Sequence, residues 1–177
     1  GVEKFVSTPE LQSENTIGTD PLPAGQVWSI SPGNGDEHPG LYRIEVNEGP
    51  GSGVKILNKP VPPAFKESMG YAEQNLYSHA KQFVGDKDPR QHEFSVQLRA
   101  FDAAKSGAKL GVASLIALCT ALLQKSIRGG LVIVGELNLG GSIEPIHNAV
   151  TLAEIATEKC AAALLMPVMC RRQLLDL

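Results

Sequence analysis

The residues best suited to chemistry lie in a glycine-rich segment and in the helix that follows it. The segment from Lys105 to Gly111 contains Ser106 and Lys109, and Ser114 lies one helical turn after Gly111. A serine hydroxyl becomes a nucleophile when a neighbouring base, such as a lysine of lowered pKa, accepts its proton. Ser106 with Lys109 is therefore one candidate pair of nucleophile and base.

Ser114 and the neighbouring lysines leave other roles open. The lysines considered as a base are Lys105, Lys109 and Lys159. A serine inside a helix more commonly bonds back to its own backbone, and this is the alternative for Ser114. A lysine beside a helix N-terminus is disfavoured by the helix dipole. We therefore expect Lys109 to pair with Glu136 or Glu144, or to turn to solvent.

Neither a phosphate loop nor a metal site is predicted. Gly49–Gly53 lacks the Gly-Lys-Ser/Thr ending of a phosphate loop and leads into a strand, so we expect a hairpin turn there. The three cysteines have no metal-ligand spacing and are expected to be reduced packing thiols. The histidines are scattered, at His38, His79, His92 and His147. Of these, His147 is expected at the mouth of a cleft.

Composition predicts one globular domain with a lead-in. The chain has 177 residues, of which 42% are hydrophobic and 20% charged, enough for one core. Residues 1–24 are polar and rich in proline, which predicts a linker or mobile lead-in to a domain over 25–177. A net charge of -3 and the lack of a basic block indicate neither nucleic acid nor membrane, and we expect a cytoplasmic protein. The start at Gly1 and the end after an apolar run suggest a piece of a longer protein.

The periodicity of apolar residues predicts a mixture of strands and helices. The predicted strands are residues 26–31 and 41–46 as an antiparallel pair, then 54–57, 93–101, 131–134 and 164–167, with a small hairpin at 137–144. The predicted helices are residues 64–83, 111–124, 148–159 and one beginning at 171. This order predicts an α+β or α/β domain, with a mixed sheet and packed helices.

The segment from Ser106 to Pro167 resembles the proteolytic domain of Lon-type proteases, including the Lon-related proteins of the bacterial BREX phage-defence system. That family has a loop Asp-Gly-Pro-Ser-Ala-Gly, a buried helix, a strand ending Thr-Gly-Glu, a hairpin before Pro-Ile, and an Ile-Pro strand. Laid on this chain without a gap, the pattern matches Gly107, Gly111, Gly135, Glu136, Gly141, Pro145, Ile146 and Pro167. Lys66-Glu67-Ser68 matches a Lys-Glu-Ser on an earlier helix. The resemblance covers residues 25–177 and implies a Lon proteolytic-domain fold, which is ribosomal protein S5 domain 2-like.

The same register departs from the family at the reacting groups. Lon-type proteases use a Ser-Lys dyad, and the register puts Lys109 at the serine, Val150 at the lysine and Val134 at the threonine that orients the lysine. A valine neither accepts a proton nor forms a hydrogen bond, and a protonated lysine does not attack a carbonyl. The resemblance thus implies a degenerate site with a surrounding frame of Gly107, Gly111, Val134, Gly135, Glu136, Pro145 and His147.

The resemblance implies a Lon-like domain of a larger ATP-dependent (AAA+) protein that acts in assembly. The alternatives are an active serine endopeptidase with a rebuilt Ser/Lys site and a peptide-binding module that does not cleave. Because the family forms rings, commonly hexamers, the resemblance also implies self-association of the full-length protein. No cofactor is expected in these residues, since ATP and Mg²⁺ would belong to an upstream ATPase module.

Overall fold

The computed structural model describes residues 17–33, 39–102, 107–146 and 148–167. Within these ranges the strands are β1 (Gln26–Ser31), β2 (Gly40–Pro50), β3 (Gly53–Ile56), β4 (His92–Ala100), β5 (Leu131–Ile133) and β6 (Ala163–Leu165). The helices are α1 (Pro63–Ser78), α2 (Ala80–Val84), α3 (Gly111–Leu123) and α4 (Ala149–Glu158), with a short 3-10 turn at Pro89–Gln91. The described strands form one mixed sheet with packed helices, which is compatible with the predicted α+β class.

The strand order in the sheet is β3-β4-β2-β1-β5-β6. The predicted antiparallel pair is confirmed, with Gln26 opposite Glu45 in β1 and β2. β2 and β4 are also antiparallel, whereas β3 runs parallel to β4, and β5 runs parallel to both β1 and β6. The parallel neighbours are reached through helices, as such connections require.

The hairpin predicted at Gly49–Gly53 is wrong. Pro50 at the end of β2 lies opposite His92, and Gly53 at the start of β3 lies opposite Glu93. The chain therefore passes around the first residues of β4, which separates the two strands. The turn residues predict a bend in the chain, but they do not show that β4, from a later part of the sequence, lies between the two strands that the bend connects.

Helices pack on both faces of the sheet. Neighbouring residues of each strand point to opposite sides, so both faces present apolar side chains to a helix. Val27 of β1 lies in the core under α1 and α3, whereas Trp28 packs with α4 in a second core. The nearly continuous apolar sequence of α3 is explained by its place against both α1 and the sheet. Its Leu118 is 0% exposed.

The single helix predicted over residues 64–83 is interrupted. His79 has φ -123° and ψ 28°, which ends α1 and begins the short α2. The His79 N–H still donates to the Asn75 carbonyl at 3.0 Å. No glycine or proline marks this break, so helical spacing alone did not reveal it.

The described end of the predicted lead-in packs against the domain. Ile17 is 2% exposed in the second core, and its N–H donates to the Lys159 carbonyl at 2.9 Å. Residues 1–16 and the helix predicted from residue 171 lie outside the described residues. None of the described helices has the length and apolar character needed to cross a membrane.

An ion pair joins the end of β4 to the end of α4. The Asp102 carboxylate accepts from the Lys159 ammonium, and its other oxygen accepts from the Leu41 N–H at 2.9 Å. Burial raises the pKa of Asp102, but the hydrogen bonds from Lys159 and Leu41 outweigh it and hold the pKa below its usual value. Stabilisation from this carboxylate is therefore present above the unfolded-state pKa and is lost as the pH falls through the folded-state pKa.

We expect Asp102→Asn to lower the free energy of unfolding by about 0.5 kcal/mol at pH 7, because the pair is partly exposed. The loss should shrink as the pH falls through the lowered folded-state pKa of Asp102, where the wild-type carboxyl also becomes protonated. Urea unfolding at several pH values measures both. Asp86→Asn, at an exposed carboxylate, is the control and should show little effect at either pH. An Asp102→Asn loss that does not change with pH would contradict this account.

Candidate functional site

Three segments meet where the sequence analysis placed the site. The loop 107–110 leads into α3, and the Val112 N–H of its first turn donates to the Gly135 carbonyl at 3.2 Å. The Glu144 N–H donates to the Glu136 carbonyl at 2.8 Å, which ties the following hairpin to the exit of β5. In that hairpin Leu137 pairs with Ile143, so the predicted hairpin is confirmed.

The Glu136 carboxylate connects these segments to α1. One oxygen accepts from the Ser68 hydroxyl at 2.6 Å, and the other accepts from the Leu137 N–H at 2.7 Å. The Ser68 oxygen in turn accepts from the Leu110 N–H at 3.2 Å. Ser68 is 0% exposed, so the carboxylate holds the loop, α1 and the exit of β5 together from inside the fold.

The charge on Glu136 is balanced by short-range donors and one distant cation. Burial raises its pKa, and the Glu144 carboxylate raises it further. The hydrogen bonds from Ser68 and Leu137 and the positive field of Lys109 oppose this rise, but the pKa stays above its usual value. Lys109 is exposed, and among the described residues its ammonium has no carboxylate within 4.0 Å. It therefore acts on Glu136 through its charge and faces solvent.

A cavity of about 180 Å³ opens beside this network. It is lined by Ile30, Ser31, Pro32, Lys109, Val134, Gly135, Glu136, Ile146, Asn148 and Leu152. Its walls are mainly apolar, and Lys109 and Glu136 are the charged residues of its described lining. Within the described part of the lining the hydroxyl belongs to Ser31, whose oxygen accepts from the Gly33 N–H at 3.2 Å.

The structure brings together some of the predicted site residues and separates others. Lys109 and Val134 share the cavity with Gly135 and Glu136, whereas Val150, on the first turn of α4, is half-buried and does not line it. Pro145 is exposed. Lys105, Ser106 and His147 lie outside the described residues.

Ser114 has the structural role that was the alternative to a nucleophile, namely a hydrogen bond to the backbone of its own helix. It is 0% exposed, and its hydroxyl donates to the Leu110 carbonyl at 2.7 Å, one turn earlier in the same helix. Lys159, a further candidate base, is engaged with Asp102. The described candidates therefore supply no serine paired with a lysine.

Two glycines explain why the loop passes so close to its neighbours. Gly107 has φ +83°, and a Cβ there would lie 2.7 Å from the Pro62 Cβ at the start of α1. A Cβ added at Gly111 would collide with the Glu136 carboxylate and lie 2.8 Å from the Leu137 nitrogen. A side chain at Gly107 would push the loop away from the start of α1, and one at Gly111 would push α3 away from the Glu136 carboxylate.

Sequence reasoning missed Ser68, Ser31 and Asn148 as site residues. Ser68 carried a detectable signal, because it occupies an inward position of an amphipathic helix, three residues after Phe65 and four before Ala72. A buried hydroxyl among apolar neighbours requires a partner. Neither Ser31 nor Asn148 has a comparable signal in the sequence. In the part of the chain that is described, no group of three or more His, Cys, Asp or Glu residues is arranged to hold a metal ion.

Comparison with known proteins points to Lon-related proteins. The chain is 27% identical over 173 residues to the Lon-like protease BrxL of Escherichia coli O9:H4 strain HS, covering 94% of this chain and 24% of that protein. It is 29% identical over 148 residues to the Lon protease of Lawsonia intracellularis, covering 82% of this chain and 17% of that protein. The Lon-like protease BrxL of Bacillus cereus is 21% identical over 94% of this chain and 25% of that protein. The chain thus spans about a quarter or less of the length of these relatives.

A family model places the chain more specifically. The model described as subunit ChlI of Mg-chelatase matches residues 71–169, which is more than half of the chain and includes α3, Glu136 and α4. The match ends two residues after Pro167, where the resemblance to the Lon pattern also ends. The chain therefore belongs to the family described as subunit ChlI of Mg-chelatase, and its relatives are Lon proteases and Lon-like proteins.

Proposed function

We propose that this chain is a Lon-like protease-fold domain of an ATP-dependent AAA+ protein, with a degenerate peptidase site, and that it acts in assembly. One observation carries the proposal: the cavity beside Glu136 is lined by Lys109 and Val134. These are the positions at which the Lon pattern has its serine nucleophile and the threonine that orients the lysine base.

The chemistry of the lining supports a degenerate site. A lysine ammonium has no lone pair for attack on a carbonyl, and the valine side chains accept no proton. The buried Ser114 hydroxyl is already bonded to the Leu110 carbonyl. The Glu136 carboxylate is bonded to Ser68 and Leu137, which suits a structural anchor better than a base that must move a proton to substrate.

The chain keeps the glycines and prolines that surround the site in the Lon pattern but lacks the serine and lysine that react. We therefore infer a role in assembly. The names of the relatives are those of Lon proteases and Lon-like proteases, and this chain matches only a part of each. We therefore place the ATP and Mg²⁺ site in an ATPase module elsewhere in the full-length protein, which would self-associate into a ring. The described cysteines, Cys119 and Cys160, are free thiols, and together with the need for ATP this favours a cytoplasmic location of the protein.

The proposal is tested by assaying serine-dependent peptide hydrolysis. We expect no cleavage of fluorescein-labelled casein above a blank without protein, and no labelling by a serine-reactive fluorophosphonate. A Lon protease run in parallel shows that both assays work. Hydrolysis that is lost in Ser31→Ala, Ser106→Ala or Lys109→Ala would establish an active rebuilt site and overturn the proposal. Ser114→Ala is the matched control, since its hydroxyl is engaged within α3.

A peptide-binding role without cleavage is the second candidate, and the shape of the cavity favours it. Apolar walls from Ile30, Ile146 and Leu152 with an ammonium at the edge suit an apolar side chain next to an anionic group. Binding of casein fragments without new termini, weakened by Lys109→Ala, would support this role. Absence of saturable binding would leave assembly as the function.

A further inference from the structure

The first edge of the sheet is left open by β3. In the described sheet β3 has a neighbour on one side only, the parallel strand β4. The Leu57 N–H, directly after β3, donates to the Val96 carbonyl of β4 at 2.7 Å. Because successive backbone groups of a strand point to alternate sides, the N–H and C=O groups of Val54 and Ile56 point to the open edge. Such an edge is a template for pairing with another strand.

A groove of about 260 Å³ lies between this edge and α1. It is lined by Val54, Ile56, Val61, Lys66, Met69, Gly70 and Glu73. The groove is separated from the cavity beside Glu136, since β4 and β2 lie between β3 and β1. It therefore offers apolar side chains next to backbone groups that no described strand pairs with, the two features that an added strand uses.

Glu73 gives the groove a defined charge. Its half-buried carboxylate accepts a hydrogen bond from the Val54 N–H, which shields part of the open edge. Burial raises the pKa of Glu73 despite this bond. Among the described residues no Lys or Arg nitrogen lies within 4.0 Å of the carboxylate. A partly desolvated carboxylate without a cation is complementary to a basic side chain.

Gly70 is a second feature that fits the close approach of a ligand backbone to α1. It lies in the middle of that helix, where glycine is less favourable than alanine by about 1 kcal/mol. No atom lies within 4 Å of a Cβ added there, so no contact in the described residues requires the glycine. A missing side chain on the wall of a groove lets a backbone approach closely.

We propose that this groove binds an extended peptide segment of a partner protein, which adds a strand to the open edge of β3 and places a basic side chain against Glu73. The peptide backbone pairs with Val54 and Ile56, and its alternate apolar side chains enter the groove. The Val54 N–H exchanges its bond with Glu73 for one with the peptide, and the released carboxylate pairs with the basic residue. Lys66, seven residues before Glu73 and about 10 Å along α1, favours an acidic residue nearer the other end of the segment.

The test is a selection of displayed random octapeptides on the immobilised 177-residue chain. Peptides that also bind the Gly70→Leu variant are removed, because that side chain fills the groove. Leucine at this exposed helix position should preserve or raise the stability of the fold, as thermal unfolding would show. Gly70→Gln serves as a second blocking variant should Gly70→Leu not fold. We expect enriched peptides with alternating apolar residues and at least one Lys or Arg.

An enriched peptide is then measured by fluorescence anisotropy. Glu73→Gln should weaken its binding roughly 10-fold, as should exchange of its basic residue for Glu. N-methylation of alternate amides, those facing β3, should abolish binding, while methylation of the amides between them should not. No enrichment that depends on Gly70, or binding indifferent to N-methylation, would overturn the proposal. Dimerisation of the wild type that Gly70→Leu removes would assign the groove to a second copy and overturn it as well.

Discussion

Replacing Gly111 by alanine is expected to lower the free energy of unfolding by about 2 kcal/mol, within the range that overpacking in a well-packed interior produces. A Cβ at this position would collide with the Glu136 carboxylate and lie 2.8 Å from the Leu137 nitrogen. The carboxylate has little freedom to withdraw, because Ser68 and the Leu137 N–H both bond to it. Alanine is the better helix former by up to about 1 kcal/mol, and the collision with a backbone nitrogen outweighs that gain.

Gly70→Ala is the matched control for this substitution. Gly70 is also a helical glycine, but an added Cβ meets nothing within 4 Å, so alanine there should stabilise the fold by about 0.5 to 1 kcal/mol. Both variants are compared with wild type by urea unfolding followed by circular dichroism. If Gly111→Ala were as stable as wild type, the carboxylate would not be held against α3 as the structure shows.

The local elements of the fold were predictable, and the arrangement of distant ones was not. β1 and β2 are adjacent in sequence and in the sheet, so alternation and one turn were enough to identify the pair. The place of β3 depends on β4, which follows α1 and α2 in the chain and lies between β2 and β3 in the sheet. A pairing across that sequence separation depends on the whole core and leaves no local pattern in the strand itself.

The same distinction applies to the candidate site. Lys109, Val134 and Glu136 were identified because they lie in one contiguous pattern of glycines, prolines and a buried helix. Another part of the cavity lining comes from Ile30 and Ser31 at the end of β1, far earlier in the chain. These residues have the ordinary alternation of a strand, so only the folded structure shows what they face.

Replacing Ser68 by alanine is expected to lower the free energy of unfolding by about 1 to 3 kcal/mol, the range for leaving buried polar groups unsatisfied. The change removes the donor to the Glu136 carboxylate and leaves the Leu110 N–H without the acceptor it has in wild type. Ser114→Ala is the matched control, because Ser114 is equally buried but bonds only within its own helix. The backbone bond from the Ser114 N–H to the Leu110 carbonyl at 2.9 Å remains in that variant, so little stability should be lost.

The pH dependence of the Ser68→Ala loss separates a carboxylate anchor from simple packing. The Ser68 hydroxyl favours the ionised form of Glu136 and so opposes the rise that burial causes in its pKa. Without it the folded-state pKa should rise further, and the stability lost on substitution should be greatest above that pKa and decline as the pH falls through it. In a double-mutant cycle with Glu136→Gln, we expect a coupling energy above about 0.5 kcal/mol at pH 7 that decreases towards pH 4. A coupling that stays constant over this range would mean that Ser68 serves packing alone, and that Glu136 does not anchor the site through its charge.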